Sequence, residues 1–175
     1  MNDDTFVPRS RSAARTAVLG VVVPIPEPWS QLFVDWRAKV GDPQANSVPP
    51  HVTLLPPTEV PVAHRPAITE HLAEVARTHP PFDMHLSGTG TFAPVSAVVF
   101  VAVARGIGNC ELIANDVRRG PLARSLSYPY HPHVTVATTC RGTCWTWPTA
   151  AWPTSRRSSG WSTSPSSSRL PTAPG

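Results

Sequence analysis

Two short runs in this chain repeat the same chemical pair, His51-Val-Thr53 and His133-Val-Thr135. An imidazole with an unperturbed pKa of about 6.5 can take or give a proton near neutrality. A threonine hydroxyl can donate a hydrogen bond to a phosphoryl oxygen and hold it in line. Hydrolysis of a phosphodiester needs both services twice. The attacking water loses a proton on one side of phosphorus, and the leaving sugar oxygen gains one on the other. Two separate acid–base groups suit that geometry better than one. A single His-x-Thr in a strand is most often structural. Two copies, each in an apolar run and each introduced by a proline (Pro50, Pro132), are more specific. His51 and His133 are therefore the expected acid–base pair, and Thr53 and Thr135 the expected phosphate contacts. This chemistry requires no metal and no cofactor.

Other residue sets fit less well. His51, His131 and His133 could be read as metal ligands, but no suitably spaced carboxylate or cysteine completes a site. Cys140 and Cys144 lack a nearby His or Cys partner. Arg105, Arg118, Arg119 and Arg124 fit solvated surface charge better than a phosphate path, and Tyr128 and Tyr130 fit packing as well as base stacking. His64, His71, His79 and His85 receive no chemical role.

The elements that must position the two motifs follow from periodicity. On a strand, residues i and i+2 share a face, so His51 and Thr53 project together while Val52 and Leu54 point to the core. The same holds for His133 and Thr135, with Val134 and Val136 behind. Ala17–Val23 is a β-branched apolar run, expected as a buried strand. Leu32, Phe33, Trp36 and Val40 have helical spacing, with Pro28 near the start and Gly41 placed to end it. Pro56-Pro57 is expected to stop the first motif strand. Ile68, Leu72 and Val75 mark a second helix. Phe82–Phe92 reads as a strand with Gly88 and Gly90 as bulge points, and Val98–Val103 as another. Leu112, Ile113 and Val117 mark a third helix, ending at Gly120-Pro121. The order is β-α-β-α-β-β-α-β, a weak internal duplication that predicts an α+β architecture of two related lobes.

The bulk numbers agree with one small domain of 175 residues, 41% hydrophobic and 15% charged. A net charge of +4 suits a polyanionic partner only weakly. Three cysteines without a secretory signal argue against a disulfide scaffold, and no apolar run is long enough for a membrane span. A cytoplasmic monomer with no membrane contact and no obligate protein partner is the expectation.

Residues 1–15 read as a disordered leader and 16–137 as the folded unit. From Thr138 to Gly175 the composition breaks. That segment has no Asp, Glu, Lys, His, Val, Ile, Phe, Tyr or Met, yet it holds Trp145, Trp147, Trp152 and Trp161. Every residue in it except Leu170 has C or G as its middle codon base. Such a bias belongs to the third codon base of a GC-rich genome, so the segment reads as translated one base out of frame. In the restored frame, positions 144, 145, 152 and 155 become apolar, giving an amphipathic helix that leads to a strand. As written, the segment is expected to form a disordered tail and leave the second lobe incomplete.

Pro49-Pro-His-Val-Thr-Leu-Leu-Pro56 and Tyr130-His-Pro-His-Val-Thr-Val-Ala137 resemble the two signature strands of the 2H phosphoesterase superfamily, in its 2'-5' RNA ligase-like branch. The resemblance spans roughly Thr16 to Ala137. It implies a bilobal, pseudo-symmetric fold with a His-x-Thr strand from each lobe and the active site in the cleft between them. It implies hydrolysis of 2',3'-cyclic phosphates to 2'-phosphates, with RNA ends or small nucleotides as substrates. His51, Thr53, His133 and Thr135 match the family motif position by position. The other class of reading is a nucleotide- or RNA-binding module that keeps the pocket without turnover.

Overall fold

The computed structural model describes residues 15–138. The expected disordered leader, apart from Arg15, and the expected out-of-frame tail, apart from Thr138, lie outside the described residues. Five strands and three helices follow in order: β1 (Thr16–Pro24), α1 (Trp29–Lys39), β2 (His51–Pro61), α2 (Arg65–Thr78), β3 (His85–Thr91), β4 (Val99–Arg105), α3 (Ile107–Val117) and β5 (His133–Ala137). The strands form one antiparallel sheet in the order β1-β2-β5-β4-β3. The α+β expectation holds, and the two lobes are two halves of a single sheet.

The internal duplication is visible in the topology. β1-α1-β2 and β4-α3-β5 are each a pair of antiparallel neighbours with a helix between them. The halves meet at the sheet centre, where Val52 of β2 faces Val134 of β5. Each helix serves the opposite half. Phe33 of α1 packs with Val101, Val103, Val134 and Val136 of β4 and β5. Ile113, Ala114 and Val117 of α3 pack with Leu54 and Leu55 of β2, joined by Ile68 and Val75 of α2. The motif strands are thus gripped from behind by helices that belong to each other's repeat. Full burial of Val52, Leu54, Val134 and Val136 sets the register, because a slip by one residue would turn the histidines into the core.

Three local expectations change. Pro56 and Pro57 do not stop β2. Leu19 pairs with Thr58 and Val21 with Leu55, so both prolines lie at a bulge opposite Gly20. There the missing N–H groups break no regular ladder. β1 is the edge of the described sheet rather than a buried strand. Leu19, Val21 and Val23 pack on the core, but Val18 and Val22 are 56% and 41% exposed. An apolar run does not reveal how many neighbours a strand will have. Finally, Gly88, with φ +80°, marks a register shift in β3, whereas Gly90 pairs regularly with Phe100.

Candidate active site

Each motif strand is entered through an X-Pro-His sequence, and the two entrances are built alike. The residue before a proline is held extended, which aims the carbonyls of Pro49 and His131 at the histidine two residues on. His51 Nδ1 lies 2.7 Å from the Pro49 oxygen, and His133 Nδ1 lies 2.7 Å from the His131 oxygen. A carbonyl can only accept, so Nδ1 carries the proton in both rings and donates it. Nε2 of each ring is left to take up or release a proton elsewhere. The prolines dock symmetrically as well. The Pro50 carbonyl accepts from Ile25 N–H at 3.0 Å, and the Pro132 carbonyl from Val103 N–H at 3.3 Å.

Val52 opposite Val134 fixes the rest. In an antiparallel register carried one residue either way, His51 stands across from Thr135 and Thr53 across from His133. All four lie on the face away from the core and are half-buried. The histidines occupy a diagonal, roughly 7–8 Å apart by sheet geometry, with the threonines on the other diagonal. The structure therefore brings all four expected residues together. A tetrahedral group between the rings would meet an imidazole on two sides and a hydroxyl on the other two.

The surroundings of the two rings differ. Phe92 stands edge-on to the His133 ring at 4.9 Å, and Phe100 lies 5.2 Å from it. The Phe92 and Phe100 rings are themselves 4.4 Å apart. Phe100 reaches this position because Gly90 has no side chain: a Cβ there would fall 2.6 Å from the Phe100 ring. Burial by this wall lowers the pKa of His133. The Pro132-spanning bond to the His131 carbonyl raises it, and the neighbouring imidazoles of His131 and His51 lower it again. The net shift favours a neutral ring. Sequence reasoning missed Phe92 and Phe100. Only the Gly90-to-Phe100 strand pairing exposes their part, and that pairing is not local in sequence.

His131 is exposed on the site side, its ring stacked 6.3 Å from His133. Among the described residues no three His, Cys, Asp or Glu side chains come together as a metal-holding group, so the His51–His131–His133 alternative lacks its geometry. Tyr130 is a packing residue: its hydroxyl donates to the Thr53 carbonyl at 2.9 Å, and the Arg118 guanidinium covers its ring at 5.1 Å. Arg118 also donates to the Leu54 carbonyl at 3.2 Å. Arg119 pairs with Asp116 at 2.8 Å, Arg105 approaches Asp83 at 3.9 Å, and Arg124 donates to Thr58. Cys110 is buried, and desolvation pushes its thiol up to about 11, which leaves it inert.

Comparison with known proteins agrees with this geometry. Residues 24–144 match the family model described as the 2'-5' RNA ligase superfamily. A protein of Bacillus cytotoxicus named as a phosphoesterase is 31% identical over 119 residues, covering 68% of each chain. A protein of Halalkalibacterium halodurans, named likewise, is 29% identical over 117 residues, covering 67% of each. Among solved structures, E. coli LigT complexed with 3'-AMP superposes with a TM-score of 0.52 at 23% identity, covering 81% of this chain and 78% of that one, which is a likeness of fold. With the doubled motif, the shared fold and the family match in agreement, the chain belongs to the 2'-5' RNA ligase superfamily of 2H phosphoesterases.

Proposed function

We propose that this phosphoesterase-family chain hydrolyses 2',3'-cyclic phosphodiesters, at RNA ends or on small nucleotides, to 2'-phosphates. The observation that carries the reading is the pair of pinned imidazoles on adjacent strands of one face, each with Nδ1 on a backbone carbonyl and, among the described residues, no hydrogen-bond partner at Nε2. His133, held toward its neutral form by burial, is the general base. Its Nε2 takes a proton from water as the water oxygen bonds to phosphorus. The bond from phosphorus to the 3'-oxygen breaks, and His51, protonated at Nε2, gives that oxygen its proton. Thr53 and Thr135 hydrogen-bond the non-bridging oxygens and hold phosphorus between the rings. LigT, which shares the fold, is the protein captured with 3'-AMP, and a nucleotide is the substrate class this carries over.

The reaction uses side chains alone. Incubation with a 2',3'-cyclic nucleotide should yield a 2'-phosphate at the same rate with and without EDTA, and the rate should be bell-shaped in pH because one ring must be neutral and the other charged. Binding of the cyclic nucleotide with no product would instead support the non-catalytic module. Activity lost in EDTA and restored by zinc would overturn the proposed mechanism.

The catalytic unit in this reading is residues 16–137, acting as a monomer. Among the described residues no helix is long and apolar enough to cross a membrane. The family match ends at residue 144, a few residues into the segment of altered composition. We read that segment as out of frame. The nucleotide sequence around codon 137 decides this: an uninterrupted frame supported by several independent reads would refute it.

A further inference from the structure

Among the described residues, the buried charged side chains are Arg37 and Asp42, an ion pair that the proposed reaction does not use. Arg37 and Asp42 are only 3% and 5% exposed. Their pairing starts from the end of α1. Gly41, at φ +75°, turns the chain left-handed. Its N–H donates to the Ala38 carbonyl at 3.0 Å, while Asp42 N–H donates to the Arg37 carbonyl at 2.9 Å. That double bond pattern is a Schellman termination, and it swings Asp42 back beneath the helix, where Arg37 Nε donates to its Oδ2 at 2.8 Å.

The rest of the guanidinium holds the segment that leads to the first motif. Nη2 donates to the Gln44 carbonyl at 2.9 Å and Nη1 to the Val48 carbonyl at 2.5 Å. Val48 is followed by Pro49, whose carbonyl pins the His51 ring, and by Pro50, whose carbonyl is bonded to Ile25. Two consecutive prolines leave little backbone freedom between the Val48 carbonyl and His51. The other oxygen of Asp42 accepts from Gln44 N–H at 3.2 Å and from the Thr138 hydroxyl at 3.0 Å. Thr138 directly follows β5, the strand that carries His133 and Thr135. In this chain one carboxylate joins the approach to the first motif with the exit from the second; the Arg37 bonds to the Gln44 and Val48 carbonyls do not depend on position 138, which the restored frame changes.

We propose that Arg37 and Asp42 are positioning residues that hold the Pro49 carbonyl, and through it the tautomer and orientation of His51, in register with the second motif strand. A buried ion pair is poor evidence of stabilisation, since apolar residues of similar bulk often serve as well. A fork of guanidinium donors aimed at the Gln44 and Val48 carbonyls does what an apolar pair cannot: it fixes where those carbonyls lie. The catalytic consequence rests on the reading of His51 and His133 as the acid–base pair; the geometric one does not.

The test combines the double variant Arg37→Met/Asp42→Leu with the milder Arg37→Lys. Nitrogen-15 NMR of the substrate-free chain at a pH where the rings are neutral reads the tautomer of each histidine, and steady-state kinetics on a 2',3'-cyclic nucleotide read kcat and KM. In the unaltered chain both motif histidines should report the Nδ1–H form. In the folded double variant His51 should become a mixture of tautomers while His133, pinned by its own neighbour, stays as it was. kcat should fall about 10–100-fold, as expected for a displaced reacting group, with KM within about twofold. If the double variant does not fold, Arg37→Lys carries the same expectation at smaller amplitude, because an ammonium cannot reach all three acceptors. A purely structural role would lower the melting temperature while leaving the His51 tautomer and the kcat of folded molecules unchanged, and that result overturns the proposal. A chain with no cyclic phosphodiesterase activity, but with a His51 tautomer that still depends on Arg37, would sink the proposed function and leave the positioning role standing.

Discussion

The two motif strands are locally the same and globally different. β2 and β5 both present His-x-Thr after a proline, both pin Nδ1 on the carbonyl two residues upstream, and both fully bury the alternate apolar residues, Val52 and Leu54 in one and Val134 and Val136 in the other. What differs is what lies beyond the strand. His133 has the Phe92 and Phe100 wall against its ring, and that burial lowers its pKa. His51 is reached through a loop wrapped on the Arg37 guanidinium. In the proposed mechanism these environments set identical motifs to opposite tasks, one as base and one as acid. The duplication supplied two copies of the chemistry, and the flanking segments broke the symmetry between them.

The largest effect should come from deleting either ring. His51→Ala and His133→Ala should each lower kcat by about 10²–10⁴-fold, with circular dichroism and melting behaviour close to those of the parent, since both side chains face away from the core. Near-parental turnover in either variant would end the acid–base assignment. Next come the hydroxyls. Thr53→Val or Thr135→Val removes one hydrogen bond to phosphate, worth about 1–1.5 kcal/mol, so each should slow turnover by about tenfold. A loss as large as that of a histidine variant would make the threonine more than a phosphate contact.

A subtler change sharpens the asymmetry itself. Phe92→Ala exposes the His133 ring and should raise its pKa, moving the acidic limb of the pH–rate profile to higher pH. An unmoved limb would show that the aromatic wall does not set the base. The smallest expected effect is on folding. The folded-state pKa of His133 lies below its unfolded value, so the unfolded chain binds the extra proton first as pH falls. Stability from this group is present above about pH 6.5 and is lost as pH drops toward the folded pKa. Urea titrations should show that slope in the parent and a weaker one in His133→Gln; equal slopes would assign it to other groups.

Much of this architecture was legible in the residues. Alternation of Val52 and Leu54 against His51 and Thr53 gave the first motif its face, and Val134 and Val136 did the same for the second. Gly41 marked the end of α1. The features that stayed hidden depend on partners distant in sequence. Pro56-Pro57 looks like a stop until Gly20 is seen opposite it in a bulge. Phe100 looks like one more core residue until Gly90 is seen beneath its ring. Arg37 reads as the charged face of a helix, because nothing local says that a Schellman turn will bring Asp42 back to it. Periodicity reports which face a residue takes, whereas strand order and loop closure decide what it meets there.

The central claim is that His133 acts as the base and His51 as the acid on one phosphodiester, and the pH dependence of kcat/KM on a 2',3'-cyclic nucleotide tests it most directly. A base must be neutral to work, so it governs the acidic limb; an acid must be protonated, so it governs the basic limb. The parent should give a bell. The residual activity of His133→Ala should lose the acidic limb and keep the basic one, and that of His51→Ala should do the reverse. A bell that keeps both limbs in either variant, or variants whose limbs disappear in the opposite order, would contradict the account.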